Sequence, residues 1–258
     1  MTDSKFLITP IPTLKDNYVW TLTFGDFAIV IDPGEAQPIL DFLKSKQLTL
    51  KAILITHHHR DHIGGVAELV KNNNVSVYAP FSEKIFFSTK SVKEGMELRF
   101  EGFPLFSILE IPGHTLDHIA YYFDNHLFCG DTLFSAGCGK VFEGTHEQMY
   151  QSLKKLKSLP ATTQIYCGHE YTLQNLYFAK IVEPANEFIQ DKIIHVSKLR
   201  ERKMPSLPSR LEEELKINPF LRCDVPTVIA AAENYAGKTL ENPVAVFSVL
   251  REWKNDTV

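Results

Sequence analysis

Four apolar runs in this chain stop at a small or polar residue, and each is then followed by a side chain that binds metal ions. Ala52-Ile53-Leu54-Ile55 leads into Thr56-His57-His58-His59-Arg60-Asp61-His62, and the run 105–111 leads through Pro112-Gly113 to His114. The run 126–129 leads through Gly130 to Asp131, and 163–167 leads through Gly168 to His169. Side chains placed where buried strands end can converge on one edge of a rigid base, a placement that independent surface histidines have no reason to share. The chain is thereby restricted to an α/β architecture with a metal site built from strand-end loops.

The first cluster is the densest. Imidazole and carboxylate are the usual nitrogen and oxygen ligands of zinc, manganese and iron, and the H-x-H-x-D-H order puts His57 and His59 on one side of the turn. Asp61 and His62 then face elsewhere, so the pattern suggests two adjacent ions rather than one. A two-ion site needs a residue that touches both, and a carboxylate can bridge where an imidazole cannot; Asp131 is the expected bridge. A tag or a solvated histidine loop would not lie between a buried strand and Gly64-Gly65 with a helix-like 66–70 beyond. His58 is expected to point away in a structural role, and His126, His146 and His195 lack the strand-end placement. Asp32 ends the strand 27–31, either as a turn former or as a group that orients a ligand imidazole from behind. The sequence favours neither reading.

With 258 residues, 44% of them hydrophobic, the chain can bury one large core or a main domain with a smaller appendage. The formal charge of −4 provides no general field for a phosphate backbone, so nucleic acid is not an expected partner and an anionic substrate needs a local basic pocket. Cys129, Cys138, Cys167 and Cys223 form no C-x-x-C pair and are expected as free thiols of a cytoplasmic protein, with Cys129 and Cys167 packed rather than reactive. No long apolar stretch marks a membrane segment. Strands are expected over 6–11, 18–24, 27–31, 52–55, 75–78, 98–100 and 105–111, a hairpin over 119–129 around Asp124-Asn125, and a strand over 163–167. Helices are expected over 38–46, after Gly65, and over 145–159. Beyond Tyr171 the pattern turns helical (173–182, 185–203, 208–215, 244–253) with proline breaks and no need for a strand, which places a boundary near residue 170.

His57, His59, Asp61, His62, His114, Asp131 and His169, in this order, resemble the metallo-β-lactamase superfamily. Within it, Asp16-Asn17-Tyr18, Gly137-Cys138-Gly139-Lys140, Phe142-Glu143-Gly144-Thr145, Cys167-Gly168-His169-Glu170-Tyr171-Thr172, Asn218-Pro219-Phe220 and the 251–254 tail are similar to the glyoxalase II family of hydroxyacylglutathione hydrolases. The resemblance implies an αββα sandwich over residues 1–170 and a smaller α-helical, substrate-binding domain over 171–258. It implies two divalent metal ions, zinc with iron or manganese as alternatives, one held by His57, His59 and His114, the other by Asp61, His62 and His169, with Asp131 bridging. Lys140, Phe142, Tyr171, Arg251 and Lys254 are the implied substrate contacts. The implied activity is hydrolysis of S-(2-hydroxyacyl)glutathione, S-D-lactoylglutathione foremost, by a metal-bound hydroxide formed because the ions pull the pKa of water towards about 7. A monomer with a small-molecule partner is expected. Two departures stand out: Asp117 occupies a position where family members usually carry glycine, and Phe142 one where some carry tyrosine. An iron-dependent persulfide dioxygenase, an RNA-processing nuclease and a non-catalytic metal-binding protein are the rival readings.

Overall fold

The partly exposed strand Leu7–Thr13, followed by the almost wholly buried Asn17–Phe24 and Phe27–Ile31, builds an antiparallel edge onto which parallel strands are added. The computed structural model of the chain describes residues 6–87 and 89–257. Among these described residues, those up to Glu110 together with Asp117–Gly130 pack as one unit, and Ile111–Leu116 together with those from Asp131 onward as a second.

In the first unit the sheet runs in the order Leu7–Thr13, Asn17–Phe24, Phe27–Ile31, Thr49–Leu54, Ser76–Ala79, Lys90–Ser91, with the last four parallel to one another. Helix Gln37–Lys46 makes the crossover between the third and fourth strands and buries Ile39 and Leu43 against Val30, Ile53 and Val77. Its chain continues at Gln47, in the left-handed region with φ 53°. An antiparallel meander of Glu97–Leu98, Phe106–Glu110, Ile119–Phe123 and His126–Gly130 completes the unit. The Asp124-Asn125 turn takes φ of 39° and 63° at its two residues, as a tight hairpin needs.

The second unit holds the hairpin Leu133–Phe134 with Gly137–Cys138, the strand Gln164–Cys167, and a series of helices. His146–Lys157 opens with a capping box, Thr145 accepting from the Gln148 amide while the Gln148 side chain accepts from that of Thr145. Helices Thr172–Val182 and Glu187–Glu201 bury Leu176, Ala179, Ile189 and Val196 together with Ala136 and Ile217. Pro226–Ala236 and Pro243–Thr257 each begin at a proline, where the missing N–H costs nothing.

The mixed α/β composition agrees with the expectation, with three corrections. The stretch after Tyr171 does contain a strand: Ser209–Arg210 pairs antiparallel with Gln164–Ile165, and the helix expected over 208–215 begins only at Leu211. Two residues are too few to show any periodicity, so only their partner reveals them. Helix Pro226–Ala236 and the hairpin at 133–138 were likewise unmarked, the first because apolar residues surround it without a clear stripe, the second because it is four residues of strand. The strand expected at 98–100 is shorter and lies at Glu97–Leu98.

Candidate metal centre

Strand Thr49–Leu54 delivers Thr56 and His57 into the first unit, and the short helix Arg60–Ile63 carries Asp61 and His62 directly after. Close backbone approach makes this turn possible. A side chain on Gly34 would sit 2.0 Å from the Asp61 carbonyl oxygen, and one on Gly65 would sit 2.5 Å from the Glu35 backbone, so the loop 32–36 packs under the helix only because these positions have none. The rings of His57 and His59 lie 4.7 Å apart, those of His57 and His62 4.2 Å, and Asp61 Oδ2 is 3.5 Å from His62 Nε2. Asn17 Nδ2 donates to Asp61 Oδ2 at 3.0 Å and holds that carboxylate in place.

Asp32 turns out to fill both roles considered for it. It sits at φ 54° at the end of its strand, and its buried carboxylate accepts the Thr56 amide at 2.7 Å, the Thr56 hydroxyl at 2.7 Å and His62 Nδ1 at 3.0 Å. The Thr56 hydroxyl, having given its proton to Asp32, accepts from His57 Nδ1 at 3.0 Å. One carboxylate thus fixes the tautomer of two imidazoles and directs Nε2 of each as the ligating nitrogen. The ligand atoms of Asp32, His57 and His62 lie within 4.8 Å of one another, but the oxygens of Asp32 are engaged by Thr56 and His62, so it orients ligands and does not replace one. His118 stacks on His57 with centroids 4.5 Å apart and planes at 15°. His58, at the centre of the cluster, is held by Asp117, whose oxygens lie 2.9 and 3.0 Å from its Nδ1. The carboxylate at 117 is therefore bound to the histidine that stands between His57 and His59.

The second unit brings His114, Asp131 and His169 together. Asp131 Oδ2 lies 3.5 Å from His114 Nε2 and 3.2 Å from His169 Nε2. His114 Nδ1 donates to the Lys140 carbonyl at 2.7 Å, which again directs Nε2 as the ligating atom. His169 stacks face to face on Tyr171, 4.6 Å apart at 7°. Phe142 is exposed and its ring meets that of His114 at 5.3 Å, while Lys140 is exposed beside it. Buried histidines with Nδ1 tied to an acceptor, together with carboxylates at contact distance from Nε2, are the donor set of zinc, iron or manganese. The residues therefore fit a divalent metal. Cys129 and Cys167 are buried free thiols.

Arg251 and Lys254 belong to the same unit and are almost fully buried, at 2% and 6% exposure. Arg251 Nη1 donates to the Cys138 carbonyl at 2.8 Å, Lys254 Nζ donates to Asn175 Oδ1, and both cations lie over the Phe220 ring. Burial, and next the neighbouring Arg251, pull the Lys254 pKa down to about 7.

Two family models match adjoining parts of the chain: the metallo-beta-lactamase superfamily matches residues 13–169, and the hydroxyacylglutathione hydrolase C-terminus matches 170–257. A hydroxyacylglutathione hydrolase of Nitrosomonas europaea is 48% identical over 96% of this chain and 95% of its own length. That decides the family. The chain belongs to the hydroxyacylglutathione hydrolases of the metallo-beta-lactamase superfamily. Another member, the hydroxyacylglutathione hydrolase of Vibrio parahaemolyticus, is 49% identical over 96% of this chain and 98% of its own. Among solved structures, the B3 metallo-beta-lactamase BLEG-1 superposes with a TM-score of 0.63 over 83% of this chain and 99% of its own at 23% identity, a likeness of fold. The fold is thus the metallo-β-lactamase-type α/β sandwich with a C-terminal helical region, and family together with the His and Asp groups implies divalent metal ions. Sequence reasoning missed Thr56 and His118 as supports of His57, and the Lys140 carbonyl as support of His114. Thr56 had one visible signal, its place between a buried strand and a ligand; the other two had none.

Proposed function

We propose that this chain hydrolyses the thioester of S-(2-hydroxyacyl)glutathione, S-D-lactoylglutathione foremost, to glutathione and a 2-hydroxy acid, the second step in disposing of methylglyoxal. Near-half identity over almost the whole chain to enzymes of that name supports the activity. The observation that carries the substrate class is the pair Arg251 and Lys254: two buried cations that, among the described residues, have no carboxylate partner. Burying unpaired charge is costly, so a site of this kind is built for an anion that arrives from outside.

In this reading His57, His59 and His114 would hold a first ion and Asp61, His62 and His169 a second, with Asp131 as the ligand they would share; zinc is the proposed metal, with iron and manganese as alternatives. Bound ions supply a water that is deprotonated near neutral pH and polarise the carbonyl under attack. The chain's own residues do the rest. Asp32 and the Lys140 carbonyl keep the imidazoles in the ligating tautomer, and Tyr171 fixes the plane of His169 by stacking. Lys140, Tyr171, Arg251 and Lys254 bind glutathione, and Phe142, lacking a hydroxyl, offers it an apolar wall. The leaving thiolate has an ordinary pKa of about 8.5, so no general acid is required. The division into a catalytic 1–170 and a substrate-binding 171–258 belongs to this proposal, supported by the change of family model at 169/170. So do a cytoplasmic location and a monomeric state; among the described residues no helix is long and apolar enough to cross a membrane.

Purified, metal-loaded protein should release glutathione from S-D-lactoylglutathione without consuming oxygen. Oxygen uptake with a persulfide, or no thioester turnover at full metal loading, would reject the reading in favour of a rival on the same fold.

A further inference from the structure

Asn175 lies on helix Thr172–Val182 and is 1% exposed. Its amide is tied at both ends. Nδ2 donates to the Ser135 carbonyl at 2.9 Å, and Oδ1 accepts from Lys254 Nζ. A carbonyl only accepts and an ammonium only donates, so this pair of partners fixes which end of the amide faces the lysine. The amide is also wedged against the hairpin 133–138: a Cβ on Gly137 would come within 2.6 Å of Asn175 Cγ and Nδ2, so the fit exists only because residue 137 is glycine. The same hairpin offers the Cys138 carbonyl to Arg251.

The chemistry of that contact matters more than its geometry. Lys254 is surrounded by Arg251 on its own helix, by Cys138 of the hairpin and Lys140 just after it, by the Phe220 ring from the turn Pro219–Leu221, and by Asn175. Three of these five neighbours are neutral groups, with the Cys138 thiol held protonated by burial, and two are cations. Arg251 Nε is itself buried without a hydrogen-bond partner among the described residues. A carboxylate at position 175 would orient Lys254 equally well, but it would also neutralise it. An amide oxygen orients the ammonium and leaves its charge uncompensated.

We infer that Asn175 is the positioning residue of the carboxylate clamp, holding Lys254 beside Arg251 through a neutral acceptor so that the charge of the pair is left for a carboxylate of the substrate to balance. This rests on the reading of Arg251 and Lys254 as the glutathione clamp. The depressed pKa of Lys254 fits the arrangement, since an arriving anion favours the protonated form and binding is then linked to proton uptake.

The test is steady-state kinetics of the metal-loaded enzyme on S-D-lactoylglutathione, with metal content and melting temperature measured for each variant. Asn175→Asp supplies an internal carboxylate: KM should rise about tenfold or more while kcat stays within about threefold, and the rise of KM with pH between 6 and 8.5 expected of the parent enzyme should flatten, because Lys254 then stays charged. A packing defect alone would lower metal content and kcat together and leave that pH profile in place. An Asp variant that is folded and metal-loaded yet keeps the parent KM overturns the inference. Should the Asp variant not fold, Asn175→Leu decides: it removes the acceptor at similar volume, and a KM within about threefold of the parent overturns the inference as well. Arg251→Ala with Lys254→Ala separates the two levels. If that double variant keeps the parent KM, the clamp reading falls regardless of Asn175; if it loses KM while the Asn175 variants do not, only the inference about Asn175 falls.

Discussion

Asp32 shows how much one residue can fix. Its carboxylate serves Thr56 twice and His62 once, and through the Thr56 hydroxyl it reaches His57. Replacing it by Asn turns one acceptor oxygen into a donor that faces N–H or O–H groups already donating, so two imidazoles lose their enforced tautomer. Supports of this kind are worth roughly 10–100-fold in metal affinity, and Asp32→Asn should show such a loss in competition with a zinc chelator; unchanged zinc affinity in the folded variant would refute the role. Lys254 makes a prediction about stability. Its folded pKa of about 7 lies below its ordinary 10.5, so between these values the unfolded chain holds more protons and stability rises with pH. The gain attributable to this residue is on the order of a few kcal/mol. Lys254→Met should therefore gain stability over the parent most clearly below pH 7, with the advantage shrinking by pH 9; a constant difference in melting temperature across that range would contradict the buried-cation account.

At the scale of elements, the hairpin Leu133–Phe134 with Gly137–Cys138 is the piece on which the second unit depends. Asn218 Nδ2 donates to the Phe134 and Gly137 carbonyls, and Glu214, fully buried with its pKa raised by that burial, accepts the Ala136 amide. Beyond the hairpin the chain runs so close to Asp131 that a Cβ on Gly139 would lie 1.9 Å from the Asp131 carbonyl oxygen and 3.0 Å from His114 Nδ1. Backbone cannot yield at that distance. Gly139→Ala should displace Asp131 and His114 together, lowering bound metal and cutting kcat by at least about tenfold, given that misplacement by about 1 Å costs up to a hundredfold. Full metal occupancy with normal turnover would show that the segment adapts. This hairpin was not legible in the sequence, because its strands are two residues each and its anchors lie some eighty positions away.

For the molecule as a whole, ligands that bind only the native state add to its stability by mass action. Removing divalent metal with a chelator should abolish thioesterase activity and lower the melting temperature, and returning zinc, iron or manganese should restore both. At free metal a hundredfold above its dissociation constant the contribution is about 2.7 kcal/mol per site. Loss of activity with an unchanged melting temperature would mean that the ions do not bind the native state in preference to the unfolded chain.

The sequence by itself determined where the candidate metal-ligating side chains stand along the chain, because strand endings are written locally: an apolar run, a small residue or turn, then His57, His114, Asp131 or His169. It also marked most helices and the long strands, whose periodicity spans enough residues to be read. Tertiary structure alone decided what those side chains can do. The tautomers of His57 and His62 depend on a carboxylate 24 and 30 positions from the residues it binds, and the charge left on Lys254 depends on an amide 79 positions away. Such partners are chosen by packing, and no local pattern of residues records them.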